Sequence, residues 1–507
     1  MNSCLLEGRV STPEWPYNKS TVAFSSAFAI AFLLSKFAGF SVGYALDDYL
    51  IVSQQHAGTF SNFFLSQGRY TNAALDILLD AANLQMANFS AGALAATVCF
   101  AALFYARIFS PRVGTRLVAW AAVGALLGAH SYYAEYVSFR QAALPMSIMF
   151  ATCWMAATHY RKALTGSSSK FRHLSAALAF GAVAMGTNQL AISFLAIGVL
   201  YMHLEMGLAR LEHASATQFR PMLQLLGSAT LASAATGAVL ITASTLLSIF
   251  LRAVFRVPAN DRATLILAQD IPERAHQIWS LLPTLFYSTE PVASLFAKAL
   301  CLSGLALLLI SSASRDARRS LSAIVFLAIS LCITLIPIAF SKDWWPVPRT
   351  LIAWPFALAA TAALCIGPER KRTALAGLVL LLASAAVFCA HSSSMLLNQQ
   401  RLNRWDMARA QEIAVQIALR HPGFQGRIAI GNPSWSYPLA PDISQGDMNV
   451  SAMSVPWAID PLFDEATGNN LTVRIAADLA VQCSGKDAFP ASDSITDLPD
   501  GEVLVCL

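Results

Sequence analysis

Long apolar runs separated by short polar connectors set the rhythm of the chain from residue 21 to residue 391. The first, "TVAFSSAFAIAFLLSKFAGFSVGY" (21–44), is long enough to cross a hydrocarbon core of about 30 Å. Ten more follow, at 89–106, 117–131, 141–158, 174–187, 189–204, 222–250, 294–312, 321–340, 350–366 and 373–391. A continuous helix over 174–204 would be roughly 46 Å long at 1.5 Å per residue, too long for that core even when tilted. Two short helices meeting at Thr187-Asn188-Gln189 are expected instead, with Asn188-Gln189 as a helix-turn cap. The first run exceeds the apolar stretch of a cleaved leader and follows a long polar region, so it reads as the first of eleven spans. Lys36, near its far end, is placed to snorkel to the interface.

The pattern changes after residue 391. "NQQRLNRWDMARAQEIAVQIALRH" (398–421) has helical periodicity with mixed charge, and Pro422-Gly423 stops it. "RIAIG" and "EVLVCL" read as strands, with Pro, Gly, Asp and Ser turn signals between them. The expectation is two parts: a membrane part over 1–391 with a long first outer loop at 45–88, and a small α/β domain over 392–507. The loop segment 58–84 carries Phe60, Phe63, Phe64 and Leu65, then Leu75, Ile77, Leu78 and Leu79. These fit one or two amphipathic helices lying along the interface. A further interfacial helix is expected in 251–293, with Glu273 and His276 facing water.

Composition agrees with the pattern. Of 507 residues, 56% are hydrophobic and 12% charged, with a mean hydropathy of +0.53. Soluble domains carry about 25% charged residues, so the chain reads as a polytopic α-helical membrane protein. The net charge of +5 is then a topology signal and not a nucleic-acid signal. With the N-terminus in the cytoplasm, the basic segments 106–116, 161–172, 205–220, 315–319 and 369–372 all fall inside, as the positive-inside rule requires. The tail then faces outward. Nine cysteines show no zinc spacing. Cys483 and Cys506 lie in the polar tail, where pairing in an oxidising compartment and two unpaired thiols both remain open.

The candidate chemistry opens the first outer loop. In "GYALDDYLIVSQQH" (43–56), Asp47 and Asp48 sit where the first span leaves the membrane. A lipid-linked phosphosugar presents its reacting carbon at that depth. An acceptor hydroxyl needs a base there, which a carboxylate supplies. The departing phosphate needs positive charge, which Arg donors supply. The outer-side cations are Arg69, Arg140, Lys342 and Arg349. The short loop "SKDWWPVPRTL" (341–351) crowds Lys342, Asp343, Trp344, Trp345 and Arg349 together, a set able to hold a sugar face and a phosphate. Glu135 and Arg140 are set to pair with each other, and Tyr132, Tyr133 and Tyr136 to lie in an interfacial aromatic belt. No Walker A, G-x-G-x-x-G, H-E-x-x-H or G-x-S-x-G occurs, so nothing points to nucleotide binding or zinc hydrolysis.

"DDYLIV…GRYTNAALDILL" resembles the first outer loop of the bacterial O-antigen glucosyltransferase family, type II. Members are multispan glycosyltransferases of the GT-C class that use a polyprenyl-phosphate sugar. Asp47, Asp48, Gly68 and Arg69 fall on the family's acidic pair and its following Gly-Arg. The closing "FPASDSITDLPDGEVLVCL" and the helix "LNQQRLNRWDMARAQEIA" after the last span are also similar to the family. Leu50-Ile51 stand where the family often has an Arg, and Tyr70 where it has a Pro. The resemblance implies a GT-C-like fold in the inner membrane with its site on the periplasmic side. It implies inverting transfer of a hexosyl, by the family glucosyl, unit from polyprenyl phosphate to a surface polysaccharide such as O-antigen. One of the two aspartates is then the base and Arg69, Arg140, Lys342, Trp345 and Arg349 hold the donor. No metal cofactor is expected, since no second ligand set accompanies the acidic pair. A transporter or flippase of a lipid-linked saccharide is the rival class. Charges near mid-membrane and repeat halves would mark that class, whereas here the charges gather at the outer edge.

Overall fold

The computed structural model describes residues 18–40, 45–52, 59–110, 116–166, 169–213, 219–260, 264–287, 294–367, 372–424, 426–431, 450–468 and 471–507. In chain order the helices are α1 (Lys19–Lys36), α2 (Leu46–Val52), α3 (Thr59–Ser66), α4 (Tyr70–Asp80), α5 (Ser90–Phe109), α6 (Leu117–Ala129), α7 (Tyr132–Ser138) and α8 (Arg140–Leu164). They continue as α9 (Lys170–Thr187), α10 (Ala191–His213), α11 (Phe219–Phe255), α12 (Ile271–Tyr287), α13 (Leu295–Ala313), α14 (Ala317–Ala339), α15 (Ala353–Cys365) and α16 (Arg372–Arg420). The strands are β1 (Arg427–Gly431), β2 (Thr472–Ile475), β3 (Ile495–Asp497) and β4 (Val503–Cys506), with α17 (Pro456–Thr467) between β1 and β2.

Among the described residues each of the eleven apolar runs is largely helical, and the protein is a polytopic helical membrane protein. Eight of the described helices are long and apolar enough to cross a bilayer, or nine if α6 and α7, bent by 49°, count as one span. α8 and α9 are less apolar over any such length: α8 carries Gln141, Pro145 and several Ser and Thr, and α9 opens on Lys170, Arg172 and His173. The chain does break at Thr187-Asn188-Gln189, and Asn188 Oδ1 accepts from Leu190 N at 3.0 Å as a cap. The last span and the tail helix, expected as separate elements, are one helix of 49 residues, α16. At 1.5 Å per residue it runs roughly 73 Å.

Close approach sets the first helix pair. A Cβ at Gly124 would meet the Phe24 carbonyl oxygen at 2.3 Å, and one at Gly128 the Phe28 oxygen at 2.3 Å. Gly124 and Gly128 form a G-x-x-x-G stripe on α6 that lets α1 lie backbone to backbone against it. Lys36 does not snorkel. It is fully buried, with Nζ donating to Ser35 Oγ at 2.7 Å and to the Gly128 carbonyl at 2.9 Å. The belt expected of Tyr132 and Tyr133 is also overturned: both are completely buried, and Tyr133 shares a 2.5 Å hydrogen bond with Tyr105. The core was already aromatic there, so their rings had partners inside the bundle.

At the far end of α16 the strands form one sheet in the order β2-β1-β4-β3. β1 is parallel to both β2 and β4, with Ile428 opposite Val473 and Val503, and β3 is antiparallel to β4. One face packs on α16 and α17 through Ile413, Ile417, Ile459, Leu462 and Phe463. Leu46 and Tyr49 of α2 are buried in the same cluster, so the short helix with the acidic pair is anchored on the sheet unit. On the other face Cys483 is disulfide-bonded to Cys506. The aromatic loop "GNPSWSYPLAPD" (431–442) lies outside the described residues beyond Gly431.

Candidate functional site

A cavity of about 170 Å³ opens at one end of the bundle. Its walls come from the start of α8 (Gln141, Pro145), the end of α9 (Thr187), the residues leading into α10 (Asn188, Leu190), and the end of α14 (Pro337, Ile338). Antiparallel neighbours contribute opposite termini, which places all these residues at one level. Asp47, Arg69, Trp345 and Arg349 line the same cavity. Among the described residues Asp48, Arg140 and Lys342 do not line it.

The acidic pair divides. Asp47 is half-buried and lines the cavity. Asp48 is completely buried. Its Oδ2 accepts from Ala45 N at 3.0 Å and Arg140 N at 2.9 Å, and its Oδ1 from Gln141 N at 3.1 Å. Arg140 and Gln141 open α8, so Asp48 satisfies the orphan amides at that helix N-terminus from 92 residues away. Burial pushes its carboxyl up to about 7, the three backbone amides pull it back, and the neighbouring Asp47 charge raises it further. Arg140, expected as a phosphate ligand, enters this arrangement through its backbone N–H.

Arg69 owes its place to Gly68. At the end of α3 Gly68 adopts φ +77°. Arg69 N donates to the Phe64 carbonyl at 2.9 Å and Gly68 N to the Leu65 carbonyl at 3.0 Å, the paired closure of a left-handed helix terminus. A Cβ at Gly68 would also press on Gln189 Nε2 at 3.2 Å and Ser248 Oγ at 3.3 Å. The turn releases the chain into α4 with Arg69 on the cavity wall.

Arg349 is held from two sides. Completely buried Glu135 accepts from Arg349 N at 2.7 Å and from its Nη1 at 3.0 Å, and the guanidinium lies 4.6 Å from the Phe139 ring centroid. Glu135 therefore pairs with Arg349, 214 residues on. A charged pair this far out of water needs good geometry to offset its desolvation, and two bonds from one residue supply it. Tyr136, expected in the belt, lines the cavity instead.

The 341–349 loop is a built frame. Lys342 N donates to the Thr264 carbonyl at 2.9 Å and Ile266 N to the Phe340 carbonyl at 3.1 Å. Arg274, which sequence reading passed over, donates to the carbonyls of Ser341 at 2.8 Å and Lys342 at 3.1 Å and also to that of Ile338. Its guanidinium lies 4.9 Å from the Trp344 ring. Glu273 and His276 beside it are exposed, as expected. The period of α12, with Arg274, Leu281 and Leu285 on its buried side, was the available signal. Lys342 is exposed and Trp345 36% exposed.

Among the described residues no group of three or more His, Cys, Asp or Glu gathers in a metal-holding arrangement. The cavity thus combines two carboxylates, Asp47 and Asp343, with two guanidinium groups, aromatic faces and side-chain amides. Such a set can accept a proton, stabilise a phosphate and hold a polyhydroxylated ring. No family model, no curated protein and no solved structure matches the chain.

Proposed function

We propose that the protein is an integral-membrane glycosyltransferase that moves a hexosyl unit from a polyprenyl phosphate to a cell-surface polysaccharide. The observation that carries this is the meeting of Asp47, Arg69, Trp345 and Arg349 in one cavity at one end of the bundle. The acceptor hydroxyl attacks the anomeric carbon and gives its proton to Asp47. The new bond forms as the bond from that carbon to the phosphate oxygen breaks, with inversion. The electron pair leaves on the polyprenyl phosphate, whose charge Arg69 and Arg349 stabilise. Asp48 is a positioning residue: through α8 and α2 it fixes where Asp47 stands. A resemblance of Asp47, Asp48, Gly68 and Arg69 to the O-antigen glucosyltransferase loop favours glucose as the unit and O-antigen as an acceptor.

Two further features support an outward-facing site in the inner membrane. The basic segments 106–116, 161–172 and 315–319 join helix ends opposite to those around the cavity, as expected for cytoplasmic loops. The Cys483–Cys506 bond suits an oxidising compartment, so the sheet unit over 392–507 is periplasmic. Eleven crossings, with α6, α8 and α9 completing the eight, bring both ends of this scheme into agreement.

The test is the surface glycan of cells carrying Asp47→Asn at normal protein abundance. Loss of one side-branch hexose is expected; an unchanged glycan contradicts the proposal. Movement of the lipid-linked sugar across vesicles without transfer would instead indicate a transporter.

A further inference from the structure

Among the described residues, three side-chain amide oxygens of the cavity wall have no hydrogen-bond donor: Gln67 Oε1, Asn72 Oδ1 and Gln141 Oε1. Gln67 and Asn72 are each 3% exposed, so bulk water does not satisfy them. Leaving a buried acceptor unpaired is costly, and three on one wall is a concentration that calls for a common cause.

The orientation of the Asn72 amide is fixed by what its nitrogen holds. Asn72 Nδ2 donates to the Thr187 carbonyl at 3.0 Å. Turned over, its oxygen would face that carbonyl, so the oxygen is the atom left free. The Gln67 carbonyl takes Gln189 Nε2 at 2.8 Å, which pins the end of α3 to the α9–α10 break. Gln141 is tied to Asp48 by its backbone amide. A fourth acceptor joins them. Pro145 lacks an N–H, so the Gln141 carbonyl loses its helical donor. The equivalent carbonyl freed by Pro337, that of Ile333, is instead taken by Ser193 Oγ at 3.0 Å.

We propose that Gln67, Asn72 and Gln141 form an acceptor wall that takes the hydroxyl groups of a neutral, hydroxyl-rich sugar ring. This deepens, and rests on, the transferase reading of the same cavity. A wall of oxygens beside Asp47 attracts O–H donors and repels a carboxylate. Sugar recognition is thereby separated from phosphate recognition, which falls to Arg69 and Arg349. Trp345 offers its face to the ring's C–H side. The donor class is a neutral hexose, with hexuronic acids excluded and deoxyhexoses disfavoured.

The test uses the full-length protein in lipid nanodiscs. Binding of a methyl hexoside, its monodeoxy analogues and the matching methyl hexuronoside is read from Trp345 fluorescence, with Trp345→Phe as the blank. The hexoside is expected to bind saturably and the hexuronoside at least about tenfold more weakly. Asn72→Leu and Gln141→Met should each weaken hexoside binding about fivefold while inorganic phosphate still binds. If Asn72→Leu loses phosphate binding through misfolding, Gln141→Met alone decides. Equal affinity for hexoside and hexuronoside, unaltered binding in the variants, or no hexoside binding by the wild type would each overturn the inference. The two levels separate cleanly. Affinities as expected without transfer from a polyprenyl-phosphate hexose would sink the transferase and leave the wall. Equal transfer rates from hexosyl and monodeoxyhexosyl donors would sink the wall and leave the transferase.

Discussion

Asp47 and Asp48 are neighbours on one short helix, yet Asp47 lines the cavity while Asp48 is turned into three backbone amides. Consecutive helical residues point about 100° apart, so one turn of α2 serves two purposes. One carboxylate fixes the frame and the other lines the cavity.

Replacing the two therefore has different consequences. Asp47→Asn should leave the unfolding temperature in detergent unchanged and lower transfer by at least about 100-fold. Asp48→Asn places an amide NH₂ against the Arg140 and Gln141 N–H groups and should cost about 1 kcal/mol of stability, as a lost helix cap does. A stability loss confined to Asp47→Asn would reverse the assignment.

Stability should also depend on pH through Asp48. Its carboxyl is raised by burial from 3.8 to about 7, above its unfolded value, so the folded protein binds a proton that the unfolded chain releases. The resulting stability is complete below about pH 4 and is lost as pH rises through about 7. Asp406, also raised to about 7 by burial, contributes in both proteins, so between pH 4 and 8 the stability of wild type should fall more steeply than that of Asp48→Asn. Parallel curves would contradict it.

The Glu135–Arg349 pair makes a third case. Arg349→Ala strands a buried carboxylate and should destabilise by about 3–5 kcal/mol. Glu135→Gln combined with Arg349→Met should cost less than the sum of the single changes, read by chemical unfolding in a double-mutant cycle. Additive costs would mean that the pair is not coupled.

In a variant retaining only Cys483 and Cys506, a membrane-impermeant thiol reagent should label intact cells only after reduction. Their 23-residue separation corresponds to about 3 kcal/mol in the chain-entropy view of a disulfide. Cys483→Ser should accordingly make the sheet unit more sensitive to external protease. Labelling without reduction would place two free thiols there.

What was legible in the sequence was local. Apolar run length gave the helices, and the 30 Å limit gave the break at Thr187-Asn188-Gln189. β1 and β4 were visible in "RIAIG" and "EVLVCL". Arg69 was legible as an outer-side cation and as part of a loop resemblance, and it lines the cavity. Long-range partnership had no local signature: Asp48 finds its amides 92 residues away and Glu135 its arginine 214 away. The interior of the bundle also defied local reading, since Lys36, Tyr132 and Tyr133 all carry the chemistry of interface residues and are buried. The Lys36 ammonium and the Tyr133 hydroxyl are matched by the Gly128 carbonyl and the Tyr105 hydroxyl, which only packing brings near.

The most direct measurement is transfer by purified protein in lipid vesicles supplied with radiolabelled polyprenyl-phosphate hexose and an acceptor glycan. Label should pass to the glycan with the wild type and fall to background with Asp47→Asn, while Asp47→Glu keeps part of the rate. Undiminished transfer by Asp47→Asn would contradict the account, because Asp47 would then not be the base.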